Sequence, residues 1–262
     1  MRTDIAGLDL LLRRRSLLGY AVGMALYTLV IVALYPSFKD AGNLDSFTED
    51  SQTMAALFGI TGSLTSPIGW LNANLYNNFL PLILLLLTIG YGASCIAGQD
   101  EEETLGVIAT LPVSRRRIAL EKFGAMFVLT LPVLVVTTLV VLVGRGFDLT
   151  VDIGDLLGVT LGTLLLALLY GALAILIGAA TGSRGTSLGV ASTLAAAGYL
   201  INSLAPVVDW LHPAKYLSPF FYAIGDNQLE DGSSLWWLLV LIAVTAALLA
   251  AALVAFDRLD IR

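Results

Sequence analysis

The sequence predicts an all-α polytopic membrane protein with six transmembrane helices and an N-terminal interfacial elbow helix, in a single transmembrane domain over residues 1–262. Three observations carry this expectation. First, 57% of the residues are hydrophobic and only 13% are charged, whereas a soluble domain has about 45–50% and about 25%, so there is too little polar surface to cover a globule. Second, six runs are free of charged side chains: 16–35, 79–97, 123–143, 156–180, 187–205 and 235–256. About 20 residues of helix cross a hydrocarbon core about 30 Å thick. Barrel strands alternate over about ten residues, and these runs do not alternate. Third, the cations segregate by loop. With the N-terminus inside, 11 of the 14 Lys and Arg side chains fall on the cytoplasmic side, and only Lys39, Arg145 and Lys215 fall outside. The outer loops then sum to −8 and the inner ones to +2. The positive-inside rule therefore puts both termini in the cytoplasm, in a multi-pass protein of the plasma membrane.

Taken in order, residues 4–15 come first. Ile5, Leu8, Leu11 and Leu12 are helically spaced, and Arg13, Arg14 and Arg15 can reach lipid phosphates. This reads as an interfacial helix; the alternative is a cytoplasmic extension of the first span. The first apolar run exceeds the roughly 7–15 residues of a signal peptide, so it is expected to stay uncleaved. Outer loops 36–78 and 206–234 are long, and 144–155 is short. On the inner side 98–122 is substantial and 181–186 is tight. Glycines recur at a spacing of four at Gly19 and Gly23, at Gly154, Gly158 and Gly162, and at Gly178 and Gly182, which lets helix backbones approach closely. Thr88, Tyr91, Ser94, Tyr170 and Asn202 are polar groups at membrane depth, read as interhelical hydrogen-bonding groups ahead of substrate contacts. The runs hold no ionisable group except tyrosine and Cys95, which disfavours a proton relay.

Several chemistries are excluded or disfavoured. Cys95 and His212 are single, so neither an intrachain disulfide nor a multi-cysteine or His-pair metal site is expected. No Gly-x-x-x-x-Gly-Lys-Ser/Thr phosphate loop occurs. The Glu101-Glu102-Glu103 run invites a membrane metalloprotease of the Glu-Glu-x-x-x-Arg type, but Gly106 and Val107 occupy the candidate Arg positions. A net charge of −6 argues against a nucleic-acid partner.

The segment 98–122 carries the functional signal. Four acids, Asp100, Glu101, Glu102 and Glu103, lead into an apolar stretch in which Leu105, Ile108 and Leu111 fall three apart. Pro112 ends the helix, and Ser114 can cap the next one ahead of Arg115. A short helix with an apolar ridge and charged ends suits a groove on a soluble partner; the alternative is an amphipathic loop resting on headgroups. In the last outer loop, Trp210, Leu217, Phe220, Phe221 and Tyr222 cannot all stay in water without cost, at about 1.5–3 kcal/mol for each large side chain. This part is expected to fold back as short helices in the outer leaflet, as an interfacial anchor or as an outer gate made by Phe220, Phe221 and Tyr222.

The run Glu-Glu-x-Thr-Leu, six residues, then Pro-Val-Ser-Arg-Arg and a later Lys resembles the coupling segment of ABC transporter permeases of the type-2 exporter family. Thr104, Leu105, Pro112, Val113, Ser114, Arg115 and Lys122 stand in register with it, while Glu103 replaces the usual Gly. Leu217-Ser218-Pro219-Phe220 is similar to a stretch many members carry in the same loop. The resemblance implies a homodimeric permease in membrane lipid, paired with a separate ATPase subunit. That partner would bind ATP and Mg, the permease itself needing no cofactor and being no enzyme. It also implies that Glu101, Glu102, Thr104, Leu105, Ile108, Leu111, Pro112, Ser114 and Arg115 form the ATPase-coupling surface. The expected cargo is amphipathic, drug-like or lipid-like. A secondary transporter or channel independent of ATP, or a non-transporting assembly partner, is the alternative.

Overall fold

The computed structural model describes residues 5–40, 63–102, 114–225 and 227–259. Among them six helices are long and apolar enough to cross a membrane: Asp9–Phe38, Pro67–Glu101, Arg115–Phe147, Ile153–Thr181, Arg184–Leu204 and Leu235–Arg258. We call them the first to sixth spans. The fold is all-helical, as expected, but four of the six spans outrun the charge-free runs by several residues.

The N-terminal helix is present and continuous with the first span, as one helix over Ile5–Phe38. Residues 5–15 thus run into the span without a break. The second span starts at Pro67, twelve residues ahead of the expected position. Ser66 accepts the Gly69 N–H at 3.0 Å, and Pro67 occupies the first turn, where it has no hydrogen bond to lose. Aromatic side chains dock this early section onto the first span. Trp70 Nε1 donates to the Ile31 carbonyl at 3.0 Å, Tyr27 to the Asn74 carbonyl at 2.8 Å and Tyr35 to the Thr65 carbonyl at 3.0 Å. Two π turns, Asn72–Tyr76 and Ser94–Gly98, interrupt the second span near its ends. Asp152 caps the fourth span through the Gly154 and Asp155 N–H groups. Gly182, in the left-handed conformation at φ 63°, ends it, and Ser183 caps the fifth span.

The fourth span is the hub. It is 72% buried over its most apolar stretch, whereas the first, fifth and sixth spans are only 28%, 28% and 22% buried. Its glycines explain the closeness. A Cβ on Gly92 of the second span would lie 2.6 Å from the Gly171 carbonyl oxygen, and a Cβ on Gly171 would strike Met126 and Thr88. Gly158 and Gly162 face Ser233 and Ala223, which belong to the loop between the fifth and sixth spans rather than to another span. In contrast, Gly19 and Gly23 have nothing within 4 Å of an added Cβ.

The loop between the fifth and sixth spans folds back onto the bundle as expected, through a 3-10 stretch Asp209–Leu217 and a short helix Pro219–Ile224. Phe220 and Phe221 are buried, but Trp210 and Leu217 are each 79% exposed, so only part of the aromatic load is taken into the protein. At the same end Lys39 pairs with Asp148 at 2.6 Å. The Asp148 hydrogen bond holds the Lys39 ammonium above its ordinary pKa, and exposure keeps the bond's contribution to stability small.

Gly92→Val should destabilise the fold by about 1–3 kcal/mol, the usual range for overpacking, because its methyl groups meet backbone on the fourth span. Gly124→Ala, with open space around it, is the control. Thermal unfolding in detergent with equal melting points for the two variants would contradict the close approach.

Candidate functional site

Five chain segments converge at the end of the bundle that carries both termini. They are the start of the first helix, the end of the second span, the start of the third, the turn between the fourth and fifth, and the end of the sixth. Lys122 stands at their centre. It is fully buried, and its Nζ lies 3.0 and 2.8 Å from the two carboxylate oxygens of Asp9. Tyr91 donates to the same carboxylate at 2.6 Å. A buried charge is tolerated when its partner and hydrogen bonds are complete, and here one carboxylate joins the first, second and third spans.

One turn along the first helix, Arg13 Nη2 donates to Ser94 Oγ at 2.8 Å, and its guanidinium lies 4.9 Å above the centre of the Tyr91 ring. Ser94 passes a hydrogen bond to the Gly90 carbonyl. These bonds fix the second π turn, directly ahead of the acidic run. Cys95, in the same turn, is buried and free.

The expected coupling residues divide into three groups. Glu101 and Glu102 end the second span. Glu101 Oε1 accepts the Arg184 N–H at 2.9 Å, which ties that end to the turn between the fourth and fifth spans. Ser114 caps the third span as expected, accepting the Arg117 N–H at 3.4 Å. Arg115 Nη1 donates to the Phe256 carbonyl at 3.2 Å and the Leu259 carbonyl at 2.6 Å, so it satisfies carbonyls at the end of the sixth span. Arg116 adds an ion pair with Asp257. Thr104, Leu105, Ile108, Leu111 and Pro112, with Glu103 and Val113, lie outside the described residues. Both flanks of that stretch are thus anchored in the bundle.

A cavity of about 540 Å³ opens beside this cluster, between the first and second spans. Asp9, Arg13, Tyr91, Ser94, Gln99, Glu102 and Arg184 make its polar side. No group of three or more metal-ligating side chains occurs among the described residues.

Phe220, Phe221 and Tyr222 lie at the opposite end. The Phe220 ring packs against Tyr170 at 5.9 Å and Tyr199 at 5.7 Å, and Phe221 packs against Tyr216, Tyr222 and Trp237. Ser218 Oγ donates to the Gly198 carbonyl at 2.7 Å, and Tyr222 donates to the Tyr216 carbonyl. These contacts hold the folded-back segment to the fourth, fifth and sixth spans. Of the expected polar groups, Tyr91 and Ser94 bond between spans, and Tyr170 reaches the Leu194 carbonyl at 3.4 Å. Sequence reasoning missed the Asp9–Lys122 pair. Its signal was one acid and one lysine just outside two apolar runs, each on a helix that continues past the run.

These features define a class: a six-span helical membrane protein in which the start of the first helix, the end of the sixth span and the acidic end of the second span meet at one end around a buried ion pair. The family model described as ABC-2 family transporter protein matches residues 3–261, and the chain belongs to that family. It is a membrane-spanning permease subunit of an ABC transporter; members of this family are membrane subunits and not ATPases themselves. No curated protein matches the chain.

Lys122→Met leaves Asp9 buried without a counter-charge and should cost about 3–5 kcal/mol. The double variant Asp9→Leu, Lys122→Met should recover most of that, and a thermal-shift cycle over the four proteins reads the coupling. Phe220→Ala with Phe221→Ala separates the two roles at the other end. An anchor loses about 3–5 kcal/mol for each ring and with it surface expression, while a gate keeps expression and raises basal ATP hydrolysis by the assembled transporter.

Proposed function

We propose that the chain is the permease of an ATP-driven exporter that moves an amphipathic, drug-like or lipid-like substrate out of the cytoplasm. It works as a homodimer in the plasma membrane with both termini cytoplasmic. A separate ATPase subunit binds ATP and Mg and docks on segment 98–122, the apolar ridge Leu105, Ile108 and Leu111 seating in its groove.

The observation that carries this reading is the anchoring of both flanks of the segment. Glu101 grips the fourth–fifth turn, Arg115 grips the end of the sixth span, and Lys122 grips the first helix and, through Asp9, Tyr91. A push on the segment therefore reaches all six spans within a few hydrogen bonds. Such a device suits a permease that receives its energy at one end. The charged side chains of the described spans gather near their ends, leaving an apolar middle suited to amphipathic cargo. A proton- or ion-coupled carrier would place ionisable groups at mid-depth, and the buried Asp9–Lys122 pair sits at the end with its bonds complete.

Replacing Leu105 and Ile108 with Asp should release the ATPase or uncouple its hydrolysis from transport, while the permease stays in the membrane at the normal level. The measurement is co-purification with the ATPase subunit together with ATP-dependent transport into inverted vesicles. Unchanged transport by the double variant would sink the docking assignment.

A further inference from the structure

The cavity beside the ion-pair cluster is divided in its chemistry. Its apolar side includes Leu12 and Leu86, which are 74% and 56% exposed on the outside of the bundle, and Leu129 lies in its wall. The cavity thus opens sideways, towards the surface that meets lipid chains. Its polar side carries two guanidinium groups. Arg13 is half-buried, with a hydroxyl and an aromatic face as its partners. The Asp9 carboxylate, one turn back on the same helix, is already taken by Lys122 and Tyr91. The Arg184 side chain lies across Gly98 and forms no ion pair among the described residues. Glu101, the nearby acid, accepts the Arg184 backbone N–H instead. Among the described residues neither arginine forms an ion pair, and the two guanidinium groups outnumber Glu102, the one carboxylate in the cavity wall that Lys122 does not already hold, next to an apolar mouth.

We infer that this cavity is a binding site for an anionic amphiphile, taken sideways from the leaflet on the termini side, with a phosphate head on Arg13 and Arg184 and an acyl chain along Leu12, Leu86 and Leu129. Arginine suits this task because its planar fork matches phosphate oxygens. Burial of chain methylenes against the leucines supplies affinity that a free phosphate lacks. The inference rests on the permease reading only in making the bound amphiphile a substrate; the binding site itself stands without it.

The test uses the full chain in nanodiscs of neutral lipid, with fluorescent phosphatidylglycerol and fluorescent phosphatidylcholine as probes. Phosphatidylglycerol should bind the more tightly. Arg13→Gln and Arg184→Gln should each weaken it by about tenfold and leave phosphatidylcholine unchanged, and Arg13→Lys should restore part of the loss. Arg184 is exposed, so its variant reads the site even if the Arg13 variant folds poorly; intrinsic tryptophan fluorescence on heating checks both. Equal affinity for the two lipids, or phosphatidylglycerol binding indifferent to both arginines, overturns the inference. Displacement of the probe by millimolar inorganic phosphate makes the ligand a free anion and overturns the lipid assignment. ATP-dependent movement of the probe in the assembled transporter is scored separately. Binding that depends on the arginines without any movement leaves the site standing and removes the substrate role. Transport of another cargo alongside probe binding that ignores the arginines does the reverse.

Discussion

Lys122 brings a positive charge to a place among the spans where its own solvent-accessible surface is zero. Taking such a charge out of water costs several kcal/mol, and the cost is recovered only by an opposite charge held in good geometry. Asp9 supplies it, and Tyr91 fills a further lone pair on the carboxylate. The first helix cannot slide along the third without breaking this group. Its start is fixed to the bundle through Asp9 and Arg13. The π turn at Ser94–Gly98, the acidic end of the second span and the polar wall of the cavity all take their positions around it.

The other fixed point is the fourth span. Close contact of Gly92 with the Gly171 carbonyl, and of Gly162 with Ala223, lets the span touch the second span on one side and the folded-back outer loop on another. In hydrocarbon there is no hydrophobic drive between helices, so this fit of surfaces is what holds them. The protein is therefore tied by charge at the end that holds the Asp9–Lys122 pair and by shape through its middle and opposite half. A charge tie is local and directional, and a shape fit spreads along a whole helix face.

Much of this was legible in the sequence, because the six apolar runs report a solvent requirement that each run meets alone. The helix ends were not. Asp9 and the arginines at 13–15 read as helix but without a partner, Lys122 reads as the last residue of a loop, and only a partner 113 positions away turns Lys122 into an interior residue. No local pattern encodes that distance. Likewise the Ser66–Pro67 start of the second span carries a recognisable cap, but on sequence grounds the stretch falls within the long loop 36–78. The glycine spacing foretold tight packing but not its partner, since Gly158 and Gly162 meet the outer loop. The aromatic load of that loop foretold that it folds back. Trp210 and Leu217 nevertheless stay exposed.

The grip of Arg115 on the carbonyls of Phe256 and Leu259 has a practical side. A helix end is ordinarily free to fray, and a fusion placed there is mechanically silent. Here the last turn of the sixth span is strapped to the first residue of the third helix. A bulky reporter or affinity handle added after Leu259 would load that strap and disturb the loop ahead of it. A handle at the opposite end of the bundle would leave this machinery alone.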